Sequence, residues 1–244
     1  MNIALLLSGG AGTRIGGDIP KQYRKAGGRL VISYCMETLL AHPDIDALQI
    51  VAEPKWQQEL IQCGERLVGT GRWEQKFRGF SLPGANRQMS IFHGLEAIRS
   101  YGRDGDYVLI HDGARPLLSA GQITDCLKGA AGHDGAMPVL PMKDTIYYSA
   151  GGQYVERLLE RSAVYAGQAP EVFEVGKYYE ANCGLMPDKI LHVNGSTEPA
   201  VMAGMDIAMI PGDEGNFKIT TKGDLERFCR IVEESQNKEG GNDR

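Results

Sequence analysis

The chain has 244 residues, 42% of them hydrophobic and 23% charged, with a formal net charge of -5. That composition is expected of one soluble globular unit with a single sizeable core. The acidic balance argues against a general nucleic-acid or membrane-binding surface, so any anion site must be a local concentration of cations.

Ile3–Leu7 is a short apolar run and predicts a buried first strand. It leads into Ser8-Gly9-Gly10-Ala11-Gly12-Thr13-Arg14, a loop in which backbone N–H groups can approach a phosphate because few Cβ atoms intervene. Arg14 and Lys21 add two cations, so the segment reads as a triphosphate site. The loop lacks the Gly-Lys-Ser/Thr of a P-loop. Ile15 stands where a dinucleotide fingerprint has its third Gly or Ala, which argues against a Rossmann oxidoreductase. For the glycines alone, a tight connection between elements is the plainer alternative.

Val31–Ala41 predicts a helix with Ile32, Cys35, Met36, Leu39 and Leu40 near helical spacing. Ala47–Ala52 reads as a strand, Lys55–Leu67 as a helix and Lys76–Phe80 as a third strand. Met89–Ser100 predicts a helix with Ile91, Leu95 and Ile98 on one face. Gly84-Ala85-Asn86-Arg87-Gln88-Met89-Ser90 leads into it. Ser90 can bond a nucleobase or sugar there, or satisfy first-turn backbone donors. Tyr107–Ile110 is an apolar strand followed by His111-Asp112-Gly113-Ala114-Arg115-Pro116. Open α/β sheets bind ligands at the C-terminal ends of strands. A carboxylate there can hold Mg2+ together with phosphates; Asp112 can equally cap the next turn with His111 packed beneath. Arg115 reads as a brace for that loop, and Gln122–Ala131 as another helix.

Ala136–Pro141 and Asp144–Tyr148 read as strands, Ser149-Ala150-Gly151-Gly152-Gln153 as a turn and Tyr154–Leu159 as a returning partner. Together they predict a β-arm over about residues 141–166, which a second subunit would steady. Thr145 and Arg161, near its two ends, suit a phosphomonoester. Val172–Cys183 predicts a helix, Asp206–Ile210 and Phe217–Thr220 the final strands, and Gly223–Glu234 the last helix. The polar segment Ser235–Arg244 is expected to be disordered. Lys218 lies inside the run Asn216-Phe217-Lys218-Ile219-Thr220, where it needs a partner such as phosphate, or sits on an edge facing solvent. The alternation of strands and helices predicts one α/β domain over residues 1–234, with a mostly parallel central sheet flanked by helices.

His42, His93, His133 and His192 have no partner at metal spacing and read as structural. Cys35, Cys63, Cys126, Cys183 and Cys229 are too scattered for a CxxC motif and read as free thiols of a reducing cytoplasm. The N-terminus lacks a signal-peptide n-region and no apolar run approaches ~18 residues, so a cytoplasmic location is expected.

In order, these segments resemble the cytidylyltransferases that make CDP-polyols. That family includes the 2-C-methyl-D-erythritol 4-phosphate and ribitol-5-phosphate cytidylyltransferases. The resemblance covers most of residues 2–232. It is carried by Ser8 to Arg14, Pro20-Lys21-Gln22-Tyr23, Gly84 to Ser90, His111 to Pro116, Asp144-Thr145, Arg161 with Gly167-Gln168-Ala169-Pro170, and Asn216 to Thr220.

The resemblance implies a Rossmann-like nucleotidyltransferase fold with a protruding β-arm. It implies transfer of CMP from CTP to a polyol phosphate with release of pyrophosphate. The expected acceptor is 2-C-methyl-D-erythritol 4-phosphate, with D-ribitol 5-phosphate as the alternative. Ser8, Gly9, Gly10, Ala11, Gly12, Gly84, Arg87 and Ser90 would bind the nucleotide. Arg14, Lys21 and Lys218 would be the catalytic cations, and Asp112 would bind Mg2+ or another divalent cation. Thr145 and Arg161 would bind the polyol phosphate, on an arm shared across a homodimer; no nucleic-acid or membrane partner is expected. A sugar-phosphate nucleotidyltransferase using another NTP shares the glycine-rich start, but the His-Asp-Gly-Ala-Arg-Pro segment and the arm argue against it. The chain departs from the family pattern in three places. Asn194-Gly195-Ser196-Thr197-Glu198 stands where many relatives read Thr-Asp-Asp/Glu, Ala169-Pro170-Glu171 where many read Thr-Pro-Gln, and Ala85 near a usual acidic position.

Overall fold

The computed structural model describes residues 1–10 and 16–241. The expectations for Ala11, Gly12 and Arg14 lie outside the described residues. In chain order the elements are β1 (Asn2–Leu7), β2 (Lys25–Ala26), β3 (Arg29–Leu30), α1 (Val31–Ala41), β4 (Ala47–Val51), α2 (Pro54–Val68), α3 (Thr70–Lys76) and β5 (Phe77–Ser81). Next come α4 (Arg87–Ile98), β6 (Tyr107–Asp112), α5 (Ala120–Ala130), β7 (Gly135–Pro141), β8 (Ile146–Tyr148), β9 (Arg157–Leu159) and β10 (Tyr165–Gly167). The last are β11 (Glu171–Glu174), α6 (Val175–Cys183), α7 (Glu198–Met202), β12 (Ile207–Pro211) and α8 (Lys222–Gly241).

β1 is central because its residues from Ile3 to Leu7 can be buried on both faces, as a strand between parallel neighbours requires. It pairs in parallel with β4 and β6, and β4 pairs in parallel with β5. The sheet runs β10-β7-β11-β6-β1-β4-β5, with β12 parallel to β7. Side chains alternate across it. Ala4 and Leu6 face a core built with α1, α2, α3 and α5, while Ile3, Leu5 and Leu7 face one built with α4, α6 and α7. Helices on both faces and a parallel centre match the expected α/β class.

The structure corrects three expectations. The apolar start of Val172–Cys183 is the strand β11, wedged antiparallel between β6 and β7, and the helix begins only at Val175. A fully buried strand and a buried helical turn have the same short apolar signature, so periodicity does not separate them. Phe217–Thr220 forms no strand; it is irregular backbone tied to the loop after β6 by Ile219 N–H donating to Ala114 O at 2.8 Å. Ile219 also packs against Phe228 and Val232 of α8. Finally, α8 continues through the first part of the segment expected to be disordered, to Gly241. Its start is a reciprocal cap: the Asp224 carboxylate accepts from Thr221 N–H at 2.7 Å, and Thr221 Oγ1 accepts from Asp224 N–H at 3.2 Å.

The arm is a separate two-stranded sheet in which β8 pairs antiparallel with β9, Ile146 opposite Leu159. β10 then returns the chain to the main sheet, antiparallel to β7.

Candidate active site

β1 and β6 end side by side, with Leu7 in register with Asp112. The chain beyond β1 is fixed from beneath. Ser8 Oγ donates to Val51 O at 2.7 Å, and Gln22 Nε2 donates to Ser8 O at 2.6 Å and Gly10 O at 2.8 Å. The Tyr23 hydroxyl bonds Ser8 Oγ at 2.9 Å while its ring stacks on Trp56. Burial pushes the Tyr23 hydroxyl up to about 12, so it remains a neutral donor. The Pro20-Lys21-Gln22-Tyr23 segment thus does two jobs: Gln22 and Tyr23 hold the loop backbone, and Lys21 lines the cleft. Gly9 is required by packing, since a Cβ there would lie 2.5 Å from Pro83 Cβ.

The opposite wall is the start of α4. Asn86 is its N-cap, accepting from Met89 N–H at 2.7 Å and donating through Nδ2 to Ile190 O at 3.0 Å. Ser90 Oγ donates to Asn86 O at 2.9 Å and accepts from Gly84 N–H at 3.0 Å, so the hydroxyl closes the turn that precedes the helix. A Cβ on Gly84 would lie 2.4 Å from Met89 Cβ. Between the walls lies a cleft of about 530 Å³, lined by Ser8, Gly9, Gly10, Lys21, Gly84, Arg87, Ser90, Asp112, Lys218 and Thr220. Segments far apart in sequence converge here.

Asp112 is the electrostatic centre. Its Oδ1 accepts from Arg87 Nε at 3.0 Å, its Oδ2 is 2.9 Å from Lys218 Nζ, and Arg115 Nε lies at 3.7 Å. Burial alone would raise this carboxyl, but Arg87 and then Lys218 outweigh it and hold it well below the usual range. His111 is fully buried and bonds Arg115 O through Nε2 at 2.9 Å; burial lowers it to about 4, so it is neutral. Arg115 is the brace that the sequence suggested. It donates through Nη1 to Asn216 O at 2.7 Å, and buried Asn216 donates in turn to Gln122 Oε1 and Ala169 O. Lys218 is therefore positioned by loop contacts rather than by a strand.

A second carboxylate lies behind the first. Glu171 is buried, with Oε2 3.7 Å from Arg87 Nη2. Its Oε1 accepts from Thr197 Oγ1 at 3.0 Å, and Ser196 Oγ donates to Oε2. Burial pushes the Glu171 carboxyl up, and Arg87 followed by the Ser196 hydroxyl pulls it back. Sequence reasoning gave no role to Gln22, Tyr23, Asn86 or Glu171. The first two were visible in the motif and Asn86 as a cap preceding a helix, but the partners of Glu171 are too distant in sequence to read.

Thr145 and Arg161 do not join the cleft within one chain. Arg161 Nη1 donates to Lys143 O at 3.0 Å on the arm, and Thr145 is exposed. Among the described residues no group of three or more His, Cys, Asp or Glu could hold a metal ion.

A family model described as IspD, 2-C-methyl-D-erythritol 4-phosphate cytidylyltransferase, matches residues 2–234. The chain is 34% identical over 233 residues to the bifunctional enzyme IspD/IspF of Rhodospirillum rubrum, covering 93% of this chain and 56% of that relative. It is 31% identical over 232 residues to the 2-C-methyl-D-erythritol 4-phosphate cytidylyltransferase of Cereibacter sphaeroides, covering 94% and 96%. The chain thus spans little more than half the length of its bifunctional relatives. The structure of 4-diphosphocytidyl-2C-methyl-D-erythritol synthase from Anaerococcus prevotii superposes with a TM-score of 0.79 at 22% identity, covering 95% of this chain and 98% of that one. The Francisella tularensis 2-C-methyl-D-erythritol 4-phosphate cytidylyltransferase gives 0.76 at 22% identity, covering 95% and 100%. These two likenesses establish the nucleotidyltransferase fold, and the family model spans nearly the whole sequence: the chain belongs to the IspD, or 2-C-methyl-D-erythritol 4-phosphate cytidylyltransferase, family.

Proposed function

We propose that the chain transfers CMP from CTP to 2-C-methyl-D-erythritol 4-phosphate, giving 4-diphosphocytidyl-2-C-methyl-D-erythritol and pyrophosphate. Family membership supports the reading. The observation that carries it is Lys218, held 2.9 Å from Asp112 at a cleft that Lys21 and the Gly9-Gly10 backbone also line. An oxygen of the acceptor phosphomonoester forms a bond to the α-phosphorus of CTP. The bond from that phosphorus to the bridging oxygen breaks, and pyrophosphate leaves with the electron pair. The acceptor needs no general base, because its second pKa is about 6. The obstacle is repulsion between anions and the charge that grows on the α-phosphoryl oxygens. Lys218 and Lys21 oppose both, by position and by charge.

The donor set suits Mg2+ as a ligand shared with phosphates: Asp112 is an ionised oxygen ligand, and one carboxylate suffices when phosphates supply the rest. Asp112 would hold the ion, which when bound would add positive charge against the phosphate oxygens. Within the protein, Asp112 meanwhile keeps Lys218 and Arg87 beside the cleft.

The reading includes a homodimer built through the arm, in a reducing cytoplasm. Tyr147, Tyr154, Val155 and Leu158 are exposed on a hairpin that is marginal by itself. A partner covering them would also explain why Thr145 and Arg161 stand away from their own cleft. The cysteines are unpaired, as reducing conditions keep them, and among the described residues no helix is long and apolar enough to cross a membrane. Replacing Val155 and Leu158 by Asp is expected to give a monomer in sedimentation equilibrium with little turnover. An unchanged dimer mass would rule out the arm as the interface.

Pyrophosphate release tests the activity. With CTP and Mg2+, release is expected with 2-C-methyl-D-erythritol 4-phosphate and to be much slower with D-ribitol 5-phosphate. The reverse order would overturn the acceptor, and no release with either would overturn the reaction.

A further inference from the structure

We propose that Glu171 is a positioning residue for the nucleotide site, acting through Arg87, with Ser196 and Thr197 fixing its two oxygens. The proposal rests on the reading of the cleft as a CTP site. Arg87 lies between two carboxylates on adjacent strands: Asp112 at the end of β6 and Glu171 at the start of β11, which pairs opposite Ile110. A guanidinium is a planar fork with donors on three nitrogens. One carboxylate near Nε and another on the side of Nη2 restrict rotation of this long side chain far more than Asp112 alone. The arrangement also divides Asp112. Arg87 occupies Oδ1, which leaves Oδ2 for Lys218.

The support for Glu171 closes into a ring. Thr197 and Ser196 donate to its carboxylate, and the Ser196 carbonyl accepts from the Tyr178 hydroxyl at 2.6 Å. Tyr178 OH accepts from Gln88 Nε2 at 3.0 Å, and Gln88 is the residue after Arg87 on α4. The ring thus returns to the helix that carries Arg87. A carboxylate this buried is costly unless it is paired and hydrogen-bonded, and both conditions are met here by side chains at or next to the cleft wall.

This contact unites two of the three departures from the family pattern. Glu171 stands on the strand, and the hydroxyls of Ser196 and Thr197 meet it from the loop.

The test compares the parent with E171Q, S196A/T197A and E171Q/S196E. CTP affinity is measured by calorimetry with Mg2+ and no acceptor, and the KM for each substrate by pyrophosphate release. In E171Q the Kd for CTP is expected to weaken about 10-fold or more, the scale typical of partners that orient a site residue. The acceptor KM stays unchanged. S196A/T197A weakens CTP binding in the same direction by less, and serves if E171Q folds poorly. E171Q/S196E presents a carboxylate from the loop side and is expected to recover most of the loss. CTP affinity in E171Q equal to the parent's, equal weakening for both substrates, or no recovery in the double variant would each overturn the positioning role. A parent protein that does not bind CTP would instead overturn the nucleotide reading.

Discussion

Lys218→Ala is expected to lower kcat by about 10²-fold or more while weakening CTP binding far less, because removing one donor aimed at developing charge typically costs that much. The expectation rests on placement. Lys218 Nζ is held 2.9 Å from Asp112, and neighbouring Asn216 and Ile219 are tied to Arg115 and Ala114 in the loop after β6. The ammonium therefore reaches the cleft without searching, which is the condition for preorganised electrostatic stabilisation. Lys21→Ala should have an effect of the same order from the opposite side. Single-turnover pyrophosphate release separates chemistry from binding. Near-normal turnover in both variants would remove these lysines from the transition state, and a loss confined to KM would reassign them to ground-state binding.

Asp112→Asn is expected to lose both turnover and stability. The substitution keeps the shape but leaves Arg87, Lys218 and Arg115 without the carboxylate they share. Removing one partner of a buried pair costs about 3 kcal/mol or more. The pH dependence has a defined sign. Asp112 titrates well below its unfolded value, so its contribution is fully present above an unfolded pKa of about 3.9 and is lost as pH falls below that. Urea unfolding should therefore show the full gap between parent and variant at neutral pH, and a narrowing gap only in acid. An Asn variant as stable as the parent at neutral pH would show that the cations do not depend on this carboxylate.

The parts of this molecule that the sequence made legible are those whose signal is local. Ile3–Leu7 reads as a buried strand because its apolar run is short and ends at glycines, and Ile32, Cys35, Met36, Leu39 and Leu40 mark one face of α1, all fully buried. The glycine loop, Asp112 and Lys218 were visible because each sits where an element ends or inside a short motif. β11 was misread because Val172 and Phe173 are apolar enough for either helix or strand, and only the gap between β6 and β7 decides. Phe217–Thr220 looked like a strand for the same reason, yet no sheet edge pairs with it. The residues of the Glu171 network lie in segments that stand out in the sequence, but their contact was not legible, since Arg87, Ser196 and Thr197 are spread over more than a hundred positions.

The loop-held placement of Lys218 has a consequence for synthesis. By the end of β6 the emerging chain already carries Gly9, Gly10, Lys21, Arg87 and Asp112, so most of the cleft lining and its acidic centre precede Lys218. Lys218 arrives about a hundred residues later, anchored through Asn216 to Gln122 and to Ala169, just past the arm. On the proposed reading, a nascent chain that has not yet reached Lys218 holds the cleft without the cation that completes it.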